Sequence, residues 1–190
     1  MDRLSLEEQM LHYPELKGEV LTSIDIIDDG EKLSSFADES IDFIIASHFL
    51  EHCQDPIGTL ENFNRVLRQE GHVLLAIPDK RYTFDKERPT TTLNHLCTDH
   101  KEGPEVSREA HFEEWSRYVG QKKGDELQAD INHCTELGYS IHFHVWTEKE
   151  LKELIMHISS YLPLTCIEFQ LVGEEILVVL NKQGKRRRHG

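Results

Sequence analysis

No stretch of this sequence stays apolar for the ~18 residues a membrane span needs. The longest such runs, residues 73–77 and 176–180, are strand-sized. The first residues carry Glu7 and Glu8 and no apolar segment, which reads against a secretory signal. Cysteine is sparse: Cys53, Cys97, Cys134 and Cys166 stand far apart, with no CxxC pair. That argues against a zinc knuckle or a dithiol motif, and scattered thiols suit a reduced cytosol, so a cytoplasmic location is expected. Positive charge is also scarce. Lys and Arg number 21 against 35 Asp and Glu, a formal charge of −14. A general nucleic-acid binder needs a basic face, so nucleic acid is not an expected partner, nor is a membrane. The only dense basic run, residues 182–188, reads as a solvated tail, with 183–190 outside the folded part. Glycine is not scarce at 11 residues, but no two stand as GxG.

What is present suits one α/β domain of 190 residues. Residues 5–11 read as a short helix capped by Ser5 and stopped by Pro14. Residues 20–27 read as a strand ending in the acidic cluster Asp25, Asp28 and Asp29, with Gly30 turning the chain. Residues 41–47 are nearly all apolar, as in a strand buried on both faces of a parallel sheet. Asp55-Pro56 then starts a helix whose Leu60, Phe63, Val66 and Leu67 share a face. Gly71 ends it, and residues 72–77 form the next strand, up to Pro78. Strand, helix, strand implies a parallel pair with a right-handed crossover.

The middle, residues 79–146, has no strong strand and is rich in His, Glu, Lys and Thr. Helices are expected over 93–99, 104–119 and 125–137, forming a helical insertion, since a structureless loop of that length is improbable. Thr147 and Glu150 make a capping box for a helix over 147–161 that buries Leu151, Leu154, Ile155 and Ile158. Strands over 165–172 and 175–181 then flank Gly173 as a hairpin.

Asp38-Glu39-Ser40-Ile41-Asp42-Phe43-Ile44-Ile45-Ala46 is similar to the fourth strand of class I S-adenosylmethionine-dependent methyltransferases, and His48–His52 to the entry of their next helix. Arg65-Val66-Leu67-Arg68-Gln69-Glu70-Gly71 resembles their R-V-L-K-P-G-G turn, with Gln69 and Glu70 in place of Pro-Gly. The segment Ile77–Asp85 resembles a narrower bacterial branch of type 11-like enzymes. The resemblance implies a doubly wound, Rossmann-like fold with a mostly parallel sheet and an antiparallel hairpin at one edge. It also implies S-adenosylmethionine as the cofactor and methyl transfer to a small-molecule acceptor. It further exposes a gap. The family cradles the methionyl end of its cofactor on a Gly-rich turn after the first strand, and this sequence has no such turn. Asp2 resembles the acidic residue that grips the ribose at the end of the second strand. In that register the chain is expected to be a truncated, N-terminally incomplete methyltransferase.

Residues past the carboxyl ends of the parallel strands are the candidates for the site. By the resemblance, Asp2 would hold the ribose, Asp28 or Asp29 the adenine amino group, and Ser47 and His48 would line the donor. Asp79, Lys80, Arg81 and Tyr82 follow the fifth strand, where an acceptor belongs, and Arg81 offers a fork of donors for an anion. In the catalytic set are His48, Asp79, Arg81 and Tyr82. His142 and His144 alternate, so on a strand both would face one way, and with Trp146 they would close the pocket. His111 and Trp115 share a helix face, which would either join the same lid or, as such pairs more often do, dock the insertion on its core. Packing is the expected job of His52.

Two rival readings stand beside this one. His48-Phe49-Leu50-Glu51-His52 matches H-x-x-E-H, so a zinc hydrolase would use His48 and His52 as ligands and Glu51 as base. That needs a continuous helix, whereas a strand precedes the motif and Asp55-Pro56 follows it. The other rival is a non-catalytic, methyltransferase-like scaffold. In it an exposed sheet edge invites pairing, including a homo-oligomer.

Overall fold

The protein is described by a computed structural model over residues 5–12 and 23–184. Helix α1 spans Leu6–His12. Strand β1 (Ile41–Ser47), helix α2 (Pro56–Val66) and strand β2 (Leu67–Pro78) make the expected βαβ unit, with α2 giving way to β2 after Val66 rather than at Gly71. Helices α3 (Leu93–Glu102), α4 (Glu105–Tyr118) and α5 (Gly124–Leu137) form the helical segment between β2 and α6 (Glu148–Ser159). Strands β3 (Leu164–Val172) and β4 (Glu175–Lys182) close the chain as a hairpin.

The order in the sheet is β1-β2-β4-β3. Only β1 and β2 run parallel; β2 with β4, and β4 with β3, are antiparallel. The sheet is therefore mixed rather than mostly parallel, because the described residues hold one crossover and the hairpin supplies the other two pairings. Strand β2 is the pivot: Val73 pairs with Ile44 on one side and Leu180 on the other. Residues 23–27 form no strand, only a single β-bridge residue at Ile27; residues 20–22 of that expected strand lie outside the described residues.

Local chemistry explains the boundaries. Asp55 caps α2, accepting from the Gly58 N–H at 2.9 Å, and Pro56 opens it. At the head of α6, the Thr147 N–H donates to the Glu150 carboxylate at 3.3 Å. Near the start of β2, Glu70 sits at φ +63°, a left-handed conformation that costs a non-glycine residue about 1–2 kcal/mol. This is the position where the resemblance has glycine. Partners hold the strained residue here: the Glu70 carboxylate accepts from the Gly184 N–H at 2.9 Å, and its carbonyl from Asn181 Nδ2 at 3.2 Å.

One apolar core joins Leu60, Phe63 and Val66 of α2, Leu151, Leu154 and Ile158 of α6, and Val73, Leu75, Val178 and Leu180 of the sheet. Phe112, Ile131, Cys134, Ile141 and Phe143 form a smaller core under α4 and α5. Two expectations need correction. Strand β1 is not buried on both faces. Phe43 is 66% and Ile45 65% exposed, because the face they share lines an open cavity and not a packed layer. Lys182 is not part of a solvated tail. It ends β4, is buried, and donates Nζ to the carbonyls of Asn64 and Leu67 at the end of α2, both at 2.8 Å. No described helix is long and apolar enough to cross a membrane.

Candidate functional site

A cavity of about 810 Å³ runs along β1, from Ile41 to Ser47, and on past its carboxyl end to His48. Its walls include Asp28, Asp29, Phe43, Ile45, Ser47 and His48. The sequence candidates Asp28, Asp29, Ser47 and His48 are thus brought together. Asp2 lies outside the described residues.

The acidic wall is a turn built to hold its shape. The Asp28 carboxylate accepts from the N–H groups of Asp29 (2.8 Å) and Ser35 (2.7 Å), and the Ser35 N–H holds this carboxyl below the usual range. Asp29 accepts from the Glu31 N–H at 3.0 Å and pairs with Lys32 at 3.1 Å. Glu31, not singled out from sequence, ties the turn to the start of α2, accepting from the N–H groups of Gln54 and Asp55 at 3.1 Å. Burial pushes its carboxyl up, against those two hydrogen bonds. Arg65 of α2 closes the arrangement. Its guanidinium donates to the carbonyls of Lys32, Leu33 and Phe36 at 3.0 Å each, and to the Asp38 carboxylate at 3.1 Å. A substitution Arg65→Ala strands those carbonyls, and we expect it to cost about 2 kcal/mol in urea unfolding, with Arg65→Lys recovering less than half.

His48 follows β1 at φ +48°, with its N–H donating to the Ala76 carbonyl at 2.9 Å. Backbone held in this region is strained, and strain of this kind clusters at functional sites. Its Nε2 donates to Glu175 Oε1 at 2.7 Å and its Nδ1 lies 3.7 Å from Glu51 Oε1. Glu51 is buried, and neither of its oxygens has a hydrogen-bond partner among the described residues. Burial pushes this carboxyl up. His52, also on the cavity wall, donates Nδ1–H to the Ile141 carbonyl at 2.9 Å, and burial lowers its pKa to about 4. It is neutral near pH 7, with Nε2 carrying the lone pair.

This geometry removes the basis of the zinc-hydrolase reading. The H-x-x-E-H residues sit on a strand exit and a single 3-10 turn over Leu50–His52, not on a continuous helix. His48 turns to Glu175 while His52 turns to Ile141, so the two imidazoles do not share a helix face. The described residues that can converge on an ion near here are Glu51, His52 and His142, without His48.

Asp79, Arg81 and Tyr82 lie outside the cavity wall. Asp79 is fully buried, and its carboxylate is gripped by Arg81, with Nε at 2.9 Å. Arg81 also donates to Glu148 at 2.9 Å and lies 5.6 Å from the Tyr82 ring centroid, so its donor fork is engaged. Lys80 donates Nζ to the Lys86 carbonyl at 2.7 Å. His142 and His144 do not face one way, because residues 141–145 form no strand. His142 Nδ1 donates to Asp85 Oδ2 at 2.7 Å, while His144 stacks on Trp146 and meets His111. Trp115 packs on the smaller core.

Arg88 was not visible as a site-building residue. It is fully buried, donating to Asp85 Oδ1 (2.8 Å), Glu114 Oε1 (2.8 Å) and the His142 carbonyl (2.7 Å). Burial alone would raise the Asp85 carboxyl, but hydrogen bonds from His142 and Arg88 hold it below the usual range.

A family model described as a methyltransferase domain matches residues 3–75, less than half of the chain but including β1, α2 and most of β2. The resemblance to class I S-adenosylmethionine-dependent methyltransferases is borne out over that stretch, as is the α/β, Rossmann-like class of the fold. No curated protein matches the chain. Among solved structures, the PH0226 protein of Pyrococcus horikoshii OT3 is 19% identical, with 96% of this chain covering 70% of that one at a TM-score of 0.49. A SAM-dependent methyltransferase of Methanosarcina mazei is 17% identical, with coverages of 97% and 81% and a TM-score of 0.46. A chain from the Haloferax volcanii complex of a methyltransferase activator, Trm112, is 14% identical, with coverages of 86% and 64% and a TM-score of 0.47. The protein therefore spans less than two thirds of that last chain.

Proposed function

From the premise that this chain carries a class I methyltransferase domain over residues 3–75, we propose that the cavity beside β1 binds S-adenosylmethionine and that the protein transfers its methyl group to a small-molecule acceptor. The observation that carries this is the cavity's place: about 810 Å³ along a parallel strand and past its carboxyl end, lined, apart from Ser140, by residues of the matched stretch. The residues present fit the adenosine half of such a ligand. Exposed Phe43 and Ile45 offer an apolar face to a flat ring, and Asp28 and Asp29 offer acceptors to amino or hydroxyl groups. The acidic balance, 35 carboxylates against 21 cations, favours a small acceptor over a nucleic acid.

S-adenosylmethionine supplies a methyl group already activated on a sulfonium sulfur. The protein's own work is then mainly alignment and exclusion of water. Ser47 and His48 stand where the strand delivers side chains to the cavity. Glu175 orients the His48 ring through Nε2. We assign His48 the task of accepting a proton from a hydroxyl or amine acceptor, where the acceptor has one to lose. The Arg65-held turn keeps Asp28 and Asp29 at the opposite wall.

Calorimetric titration with S-adenosylhomocysteine tests the reading. We expect a Kd below about 1 mM, corresponding to about −4 kcal/mol. Ser47→Phe, which fills the cavity mouth, should weaken binding at least about tenfold while leaving the circular dichroism spectrum unchanged. Absence of heat from the folded wild-type protein would overturn the proposal and leave the non-catalytic scaffold as the better account.

A further inference from the structure

A second constellation lies apart from that cavity, and the methyl-transfer reading makes no use of it. His95 and Asp99 stand four residues apart on α3 and so share one helix face. His111 comes from α4, and His144 from the extended segment before α6. One ligand atom from each of the four lies within 4.8 Å of all the others. His95 Nε2 is 3.1 Å from Asp99 Oδ2 and 3.1 Å from His111 Nε2; His111 Nε2 is 3.6 Å from Asp99 Oδ2. A tetrahedral zinc ion with bonds of about 2.0–2.1 Å separates its ligand atoms by about 3.3 Å. The three distances bracket that value.

The polar groups are left in a state that calls for a cation. Asp99 is 1% exposed; among the described residues neither carboxylate oxygen accepts a well-formed hydrogen bond, and only the imidazoles of His95 and His111 stand within ion-pair distance. His144 is fully buried, and its Nδ1 has no hydrogen-bond partner among the described residues. A buried carboxylate with unsatisfied oxygens carries a heavy desolvation cost unless a cation answers it. Arg88 does not serve, because Asp85, Glu114 and the His142 carbonyl occupy its donors. The second ring nitrogen of His144, Nε2, lies 3.4 Å from the Gln54 carbonyl, the kind of outer contact that fixes the tautomer of a metal-bound imidazole.

The structure assigns to His95, Asp99, His111 and His144 a zinc site. Three imidazoles and one carboxylate form a borderline donor set that suits Zn²⁺ rather than Mg²⁺ or Ca²⁺, which take oxygen. Four protein ligands close the site, so the ion is structural. It clamps α3 and α4 to the segment that leads into α6. The zinc that the H-x-x-E-H pattern suggested belongs, on this assignment, to a different and dispersed set of histidines.

The test uses the full chain and the metal alone. The purified protein should hold about one zinc per chain by elemental analysis. The chelated protein should regain at least about 5 °C in Tm on adding ZnCl₂. Cobalt added to the chelated protein should give the intense visible bands of a tetrahedral site. His95→Gln, a half-exposed position that leaves the buried groups in place, and Asp99→Asn should each weaken zinc binding at least about tenfold. His133→Gln, on the exposed side of α5, should leave it unchanged. Failure of the chelated protein to take up zinc or cobalt would overturn the assignment. So would zinc that survives both His95→Gln and Asp99→Asn at full affinity, which would place it on Glu51, His52 and His142 instead.

Discussion

Replacing Arg88 by Met is expected to destabilise the protein by about 3–5 kcal/mol, measured as the shift in urea unfolding free energy. The guanidinium is fully buried against an Asp85 carboxylate that is 1% exposed, and it also satisfies Glu114 and the His142 carbonyl. Removing one member of such a group leaves Asp85 charged, buried and short of donors, and that penalty exceeds any apolar contact methionine makes. The double change Arg88→Met with Asp85→Leu should be milder than Arg88→Met alone, because it removes the orphaned charge as well. A double variant no more stable than Arg88→Met would show that packing of the arginine, not its charge, holds α4 to the segment around His142.

Much of this architecture was legible in the sequence, for identifiable reasons. Helices α3, α4 and α5 declare themselves through local chemistry: Thr92 before α3, Pro104 before α4, and Gly138 in a left-handed conformation after α5. The βαβ unit is legible because Asp55-Pro56 opens its helix and Pro78 ends its second strand, whereas Gly71, expected to end the helix, lies inside β2. What the sequence conceals is non-local. Arg88 meets Glu114 and His142, partners far along the chain, and no spacing rule links them. His95, Asp99, His111 and His144 likewise converge only after three elements have packed. The H-x-x-E-H pattern misleads for the complementary reason. It is local and conspicuous, yet a strand exit at His48 sends its imidazoles to different neighbours. The acidic turn was visible through Asp28 and Asp29, but not the glutamate and arginine that fix it, since Glu31 and Arg65 act on backbone groups.

The second large effect is on acid stability. Burial, chiefly, lowers His52 from its ordinary 6.5 to about 4, so the folded state binds this proton less well than the unfolded chain. The stabilisation is fully present above pH 6.5 and is lost as the pH falls from there toward 4. Across that window it amounts to up to about 3 kcal/mol. Glu51, pushed up by burial, acts in the opposite sense as the pH rises above the ordinary carboxylate range. His52→Asn isolates the histidine, since asparagine can still donate to the Ile141 carbonyl and does not titrate. Unfolding free energies taken at intervals from pH 7 to pH 4 should fall more steeply for the wild type, by up to about 3 kcal/mol in total. Parallel curves would show that the unfolded state holds His52 in a similar environment.

The pivot position of β2 has a consequence for how the chain reaches its fold. Val73 finds Ile44 across a short helical crossover, but it meets Leu180 only after all of α3 to α6 has been made. Contacts between near neighbours form early, and those that close long loops form late. During synthesis the βαβ unit can assemble while the other edge of β2 stands open, waiting for β4. An apolar strand with unpaired backbone groups is a template for pairing with the wrong chain. The hairpin that ends the chain is therefore also what retires this hazard, and premature termination before β4 should send the product into aggregates rather than leave it a smaller soluble domain.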